Sequence, residues 1–543
     1  MENAKAEAFR VAVKENATSL ARFIAASPTS YHAAAEIAQA LRAAGFRQET
    51  ETETWSGAPG GHFIVRGGGV LAWWIPEQKV RGYRIVGSHT DSPSLKLKPN
   101  EASQHFGFTQ VDMEVYGGPL LGSWLNRDLG LAGRVTDYAG QTHLVATGPC
   151  MVIPQIAPHL DRSASTKLDL DPQRHLHPIL TVPLLDNPEA TASTSTATGG
   201  EGAATGGEGA ATGVGAATGA GAATGGETGR AAAQYPLRPL LAAASGGAVR
   251  AGDIAWHDIY AYTVEPPALN GDYLSGPRQD NLVSVYASLH AFLRYAASSQ
   301  AREADFVAVF AAFDHEEVGS GTTSGAAGPI LETVLQRCAI SLGASPETYA
   351  QMLAGSICIS ADSGHSMNPN YAEKYDPDQY PVAGHGPMLK FNAQQRYSSD
   401  AVSVTAVLQA ARATGTPVQN FVSNNAVPCG TTIGPLTATR LGISTVDVGI
   451  PLLSMHSARE LSHNADTYWL RRLIEGFWLG EAAREPAALT EVPENAAATN
   501  APGVAGAEVS AGAAAGAALE VAAGTPDPSV AATSAPAPAG EGQ

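Results

Sequence analysis

Cysteine, basic charge and long apolar runs are all scarce in this chain. The four cysteines (Cys150, Cys338, Cys358, Cys429) are scattered without CxxC spacing. They read as reduced, mostly buried thiols, which excludes a disulfide framework. Lysine and arginine total 33 against 51 acidic residues, a formal charge of −18, and no polybasic run occurs. That balance argues against nucleic acid or an anionic membrane as partner. No window approaches the roughly 18 apolar residues that span a bilayer. The first segment, MENAKAEAFRVAVKENATSLARFI, mixes charge with apolar positions at helical spacing and lacks the apolar core of a signal peptide. A cytoplasmic location is the expectation, with vacuole or plastid left open. Charged residues are only 15%, a deficit that comes from two stretches rich in Ala, Gly, Thr and Pro.

The first of these stretches, 187–234, is built of imperfect copies of Ala-Ala-Thr-Gly-Gly-Glu. Frequent glycine opposes helix and nothing bulky is present to form a core, so a disordered loop is expected. The tail 486–543 has the same character and the same expectation. Elsewhere the pattern is regular. Helices are predicted over Glu7 to Ala26 and Tyr31 to Ala44, followed by apolar strand runs in GHFIVR, GVLAWWI and YRIVGS. From about Gln104 to Pro183, short alternating runs suggest a β-rich unit inserted into a larger domain. From Asp253 onward, apolar runs (FVAVFAAF, SICISA, ISTVDVG) alternate with amphipathic helices. Such alternation predicts an α/β sandwich with a mostly parallel central sheet, whose ligand site lies beyond the carboxyl ends of the strands.

Chemistry-bearing residues stand at those ends. RIVGS runs into His89-Thr90-Asp91, VAVFAAF into Asp314-His315-Glu316-Glu317, ICISA into Asp362-Ser363-Gly364-His365, and STVDVG leads to His456; Asp280 opens the helix near Leu282. Taken singly each is ordinary: Asp280 as a helix N-cap, a histidine after a strand, a solvated Glu-Glu pair. Taken together, two histidines and three carboxylates with a spare glutamate are the set required by two divalent ions sharing a bridging carboxylate. Gathering that much negative charge at one sheet edge is costly unless cations neutralise it.

Over these residues the chain resembles the aspartyl aminopeptidases, co-catalytic zinc enzymes with a phosphorylase-like α/β core. The matching runs are SHTDSPSLKLKPN, RDLGLAGRV, FDHEEVGS, SADSGHSMNPNYAEKYDP, GHGPMLKFNAQQRYSSDAV, PCGTTIGP and SMHSARE. The resemblance implies that His89 and Asp362 hold one zinc, Glu317 and His456 the other, and Asp280 bridges them. Asp91 would orient His89, and Glu316 would be the general base. Lys390, a surface lysine on any other reading, would meet the acidic side chain of the substrate, with His365, Tyr397 and Asp362 also in contact with it. His159 would be offered by the inserted domain to a neighbouring subunit's site, within a dodecamer built of dimers. The chain departs from the family pattern at Gln279, at Asn126 and at Asn424-Asn425-Ala426; none of these is a ligand.

The reading is therefore a two-metal aminopeptidase for peptides beginning with Asp or Glu. It expects two divalent ions, Zn²⁺ foremost, with Co²⁺ or Mn²⁺ able to substitute, and neither nucleic acid nor membrane as partner. Its catalytic domain spans 1–97 and 255–485 around a dimerisation domain at 98–254. The alternatives are a neutral aminopeptidase or deacylase of the same clan, against which Lys390 weighs, and a non-catalytic assembly or cargo particle.

Overall fold

The apolar runs of the sequence become the strands of a nine-stranded mixed sheet. Its order is Arg47–Gln48, Gly60–Arg66, Gly69–Ile75, Val307–Phe313, Tyr83–His89, Ile357–Ala361, Ser444–Gly449, Met388–Phe391, Gln419–Val422. The computed structural model describes residues 2–182, 235–486 and 489. The segment 187–234 and, apart from 486 and 489, the tail 486–543 lie outside the described residues.

The four middle strands, Val307–Phe313 to Ser444–Gly449, run parallel. Every residue of Val307–Phe313 is buried. Val307, Val309, Ala311 and Phe313 pack into one apolar cluster, and Ala308, Phe310 and Ala312 into another. Successive side chains point to opposite faces, so a strand covered on both sides reads as an unbroken apolar run. One cover comes from the helices Glu2–Ala26, Ser30–Ala43, Gln279–Ala296, Ala401–Thr414 and Asn464–Leu479. The other comes from Ile330–Ser341, Pro346–Ala354 and Ile433–Leu441. The ends of Ala401–Thr414 show why the chain turns where it does. Asp400 and Ser403 form a reciprocal capping box, and Gly415 closes the helix at φ 68°.

Between Ser94 and Thr263 a second, wholly antiparallel sheet forms, in the order Ile254–Thr263, Ser94–His105, Phe108–Tyr116, Ile179–Leu180, Met151–Val152, Leu129–Asp137, Thr142–Ala146. Ile254–Thr263 also pairs along its length with Leu129–Asp137. That pairing closes the sheet into a ring with its own core, which includes Leu95, Val111, Leu131 and Ile259. A third sheet of five short strands, Ala268–Asn270, Tyr273–Gly276, Glu460–His463, Pro451–Leu453 and Gly364–His365, sits beside the ends of the parallel strands. Among the described residues no helix is long and apolar enough to cross a membrane.

Candidate metal centre

The parallel register fixes the first half of the site. Phe313 pairs with His89, and Ser360 pairs with Gly87, so the last strand residues His89 and Phe313 and the following Asp362 emerge side by side. Asp362 N donates to the Val448 carbonyl at 2.8 Å. A Cβ on Gly449 would stand 1.7 Å from the Asp362 carbonyl, so only glycine lets that strand pass so close. The third sheet supplies the second half. Asp280 follows strand Tyr273–Gly276, and His456 sits in the tight loop between Pro451–Leu453 and Glu460–His463, with φ 65°. Asp280 makes no helix cap: the cap position is Arg278, without a side-chain bond, and Asp280 itself is extended at φ −80°, ψ 106°.

Six side chains meet there. His89, Asp280 and Asp362 form one group of ligand atoms within 4.8 Å of one another; Asp280, Glu317 and His456 form a second, and His89, Glu316 and Glu317 a third. His89 Nε2 lies 3.6 Å from Asp280 Oδ1 and 3.6 Å from Asp362 Oδ1, and 3.9 Å from Glu316 Oε2. His456 Nε2 lies 3.4 Å from Asp280 Oδ2 and 3.5 Å from Glu317 Oε2. The two oxygens of Asp280 thus face different imidazoles. Both outward nitrogens are engaged elsewhere: His89 Nδ1 with the Asp91 carbonyl at 3.0 Å, His456 Nδ1 with the Gly118 carbonyl at 3.0 Å. In the neutral imidazoles those bonds hold the proton on Nδ1 and leave the Nε2 lone pair facing the cluster.

Electrostatics show what the arrangement lacks by itself. Burial and the Asp280 charge raise Glu317 well above its ordinary value. Burial, relieved in part by His89 but reinforced by Asp362, Asp91 and Asp280, pushes Glu316 up to about 7. Burial opposes charge on His456, yet Asp280 and Glu317 lift it to about 10. Asp362 moves the other way: burial would raise it, but Lys390 and His89 hold it below the usual carboxylate range. Asp280 Oδ1 and Glu317 Oε1 are buried with no hydrogen-bond partner. Buried carboxylate oxygens without partners, beside two imidazoles that present Nε2, fit a divalent cation.

The family model described as aminopeptidase I zinc metalloprotease (M18) matches residues 23–478. The chain belongs to the M18 aminopeptidase family. A probable M18 family aminopeptidase 2 of Streptomyces avermitilis is 42% identical over 468 residues, covering 85% of this chain and 97% of that relative. Among solved structures, a chain of the Ape4 and Nbr1 complex superposes with TM-score 0.75 at 30% identity, covering 87% of this chain and 86% of that one. The S. cerevisiae mApe1 dodecamer superposes with TM-score 0.68 at 25% identity, covering 86% and 97%. Membership makes the chain a zinc metalloaminopeptidase of mixed α/β fold.

Around the M18 centre the other expected residues divide. Asp91 is a hub: its carboxylate accepts from Glu316 N at 3.0 Å, Glu317 N at 3.1 Å and Tyr116 Oη at 2.7 Å. Lys390 is no surface lysine; it is 1% exposed, and its Nζ donates to the Ser363 carbonyl at 2.6 Å. Its ammonium lies 5.4 Å from the Tyr397 ring centroid, and Tyr397 and His365 both lie against Phe421. His159 is exposed in the turn after Met151–Val152 and is not one of the six clustered side chains. The departures are accommodated. Gln279 Nε2 donates to the carbonyls of Leu274, Gly276 and Glu460. Asn126 adopts φ 58°, a conformation asparagine tolerates, and its side chain bonds Gln155. Asn424 accepts from Ala426 N and donates to the Tyr375 carbonyl. Two contributors escaped the sequence reading, Tyr116 and Glu460. Glu460 closes the run SMHSARE, four residues after His456, but nothing in that run says what its side chain meets.

Proposed function

We propose that this M18 enzyme removes aspartate or glutamate from peptide N-termini with two divalent ions, Zn²⁺ foremost and Co²⁺ or Mn²⁺ able to substitute. The observation that carries the metal reading is the pair of buried oxygens on Asp280 and Glu317 that have no hydrogen-bond partner. His89 and Asp362 would hold one ion, Glu317 and His456 the other, with Asp280 between them. The chemistry two such ions supply when bound is polarisation of the scissile carbonyl and acidification of water to a pKa of about 7.

The chain's own groups do the rest. Glu316 takes the proton of the attacking water and returns it to the leaving amine; its carboxylate stands in the cluster with Oε2 3.9 Å from His89 Nε2, where it can reach a water held between the ligands. Asp91 fixes the backbone of Glu316 and Glu317 and lies 3.4 Å from His89 Nδ1. Lys390 would receive the substrate's side-chain carboxylate. An ammonium has three donors, and Ser363 is its one hydrogen-bond partner among the described residues. Tyr397 and His365 would wall that pocket, with Asp362 at its inner edge. The burial of Lys390 beside Asp362 also favours a second reading, in which it only balances that buried charge.

The same proposal covers organisation. The catalytic domain, a phosphorylase/hydrolase-like sandwich, would comprise 1–97 and 255–485 around an inserted dimerisation domain at 98–254, with the ring strands Ser94–His105 and Ile254–Thr263 crossing both borders, so that the insert takes in the few residues on either side. Exposed His159, flanked by exposed Ile156 and Leu160, would enter a neighbour's site, and dimers would build a dodecamer like that of the yeast relative. The location proposed is cytoplasmic. The test is release from aspartyl, glutamyl, leucyl and lysyl substrates with and without a chelator. Acidic substrates should dominate, and the chelator should abolish turnover. A leucyl rate equal to the aspartyl rate would remove the acidic preference, and chelator-resistant turnover would remove the metal.

A further inference from the structure

We infer that Glu460 is the positioning residue that sets the separation of Asp280 and His456, and that Gln279 locks it in place. This rests on the metal reading above and assigns a role to two residues outside the ligand set. Glu460 opens strand Glu460–His463 and pairs with Gly276 across the third sheet. Its side chain is buried and turns inward. Oε2 accepts the backbone N–H of Asp280 at 3.1 Å and Oε1 that of His456 at 2.8 Å. One carboxylate therefore grips the main chain of two ligands that are otherwise delivered by separate segments.

The grip matters because neither ligand is held by regular structure. Asp280 precedes the regular part of its helix, and Asn281 beside it is non-helical as well. His456 has positive φ in a loop also held by the Leu120 N–H to the His456 carbonyl at 2.9 Å, by the Gly118 carbonyl on Nδ1, and by Ser123 Oγ accepting from Ala458 N at 2.8 Å. A carboxylate suits the task where an amide does not: both its oxygens accept, whereas glutamine offers one acceptor and would set its NH₂ against a backbone N–H. Gln279 makes the clamp rigid. Its Nε2 donates to the Glu460 carbonyl at 2.9 Å and to carbonyls of Tyr273–Gly276, and its Oε1 accepts from Ser462 Oγ. It staples the two strands directly behind the clamp. Partners of this kind, one bond removed from the ligating atoms, typically change metal affinity by 10–100-fold when removed.

The experiment is zinc titration of the full chain in two backgrounds. Asp362→Ala leaves the Asp280, Glu317 and His456 group; His456→Ala leaves the His89, Asp280 and Asp362 group. Glu460→Gln should weaken zinc by about 10–100-fold in the first background, because both gripped ligands belong to that group, and clearly less in the second. Gln279→Leu should act in the same direction with a smaller effect, and it serves as the readout if Glu460→Gln does not fold. Equal loss in both backgrounds, or unchanged affinity in the first with circular dichroism intact, would overturn the inference. Parent proteins that bind no zinc at all would instead overturn the metal reading beneath it.

Discussion

The Tyr116 hydroxyl donates to the Asp91 carboxylate at 2.7 Å, joining a strand of the antiparallel ring to the segment that leaves the central sheet. Asp91 follows the central strand Tyr83–His89; Tyr116 ends a strand of the antiparallel ring. The bond ties the ring to the loop that carries Glu316 and Glu317. Tyr116→Phe keeps the ring packing against Tyr260 and removes the donor. Turnover should fall by roughly 10-fold, the lower end for partners that orient a metal site, with the thermal midpoint nearly unchanged. Full activity would show that Asp91 is held well enough by the two backbone N–H groups.

Asp280 offers one oxygen to each imidazole, so its loss should be felt in both groups. Asp280→Ala should lower zinc content toward zero and turnover by more than about 100-fold, beyond the range for outer partners. Zinc content and kcat measured on the same preparation decide it. A variant that kept two zinc ions and normal turnover would end the bridging assignment.

Glu101 gives a prediction independent of the metal. It is fully buried in the ring, accepts from Leu237 N, and its Oε1 has no hydrogen-bond partner, with His257 Nε2 3.7 Å away; burial pushes it up to about 7 from an ordinary 4.5. The folded state therefore binds this proton more tightly than the unfolded state, and the stability it contributes is lost as pH rises from about 4.5 through 7. Neighbouring His257, pushed down to about 4 by burial, acts oppositely, losing stability as pH falls from 6.5 toward 4. Glu101→Gln isolates the first effect. The variant should match wild type near pH 4.5 and gain on it by roughly 2–3 kcal/mol by pH 8. Denaturant midpoints at both pH values check this; a constant difference would contradict it.

The shared-site proposal has its own test. His159→Phe should lower activity with zinc content and fold unchanged. Mixing it with Glu316→Gln should restore part of the activity, because some sites then pair an intact Glu316 with a donated wild-type His159. Demonstrably mixed oligomers without rescue would confine the site to one subunit.

Much of this was legible in sequence because the central strands are buried on both faces. YRIVGS, FVAVFAAF and SICISA could be placed, and with them the carboxyl ends that carry His89, Glu316, Glu317 and Asp362. The first two helices fell within a few residues of Glu2–Ala26 and Ser30–Ala43. What periodicity could not show was contact between distant segments. Tyr116 lies 25 residues from Asp91, in a strand of the antiparallel ring, and Glu460 acts through its side chain on the backbones of Asp280 and His456; local spacing shows neither contact. Lys390 shows the same limit from the other side. Its neighbours Met388 and Leu389 mark a strand, but nothing local says that the lysine itself is buried against Ser363.

The most direct measurement compares kcat/KM for aspartyl and leucyl substrates on wild type and on Lys390→Met, with zinc content verified. Methionine keeps most of the stem and removes the charge. A charge-assisted hydrogen bond in a closed pocket is worth about 1.5–3 kcal/mol, and about 1.4 kcal/mol corresponds to tenfold. Aspartyl turnover should fall by roughly one to two orders of magnitude, while leucyl turnover, which needs no cation, should lose little. An unchanged aspartyl-to-leucyl ratio would contradict the account and leave Lys390 as a buried counter-charge to Asp362.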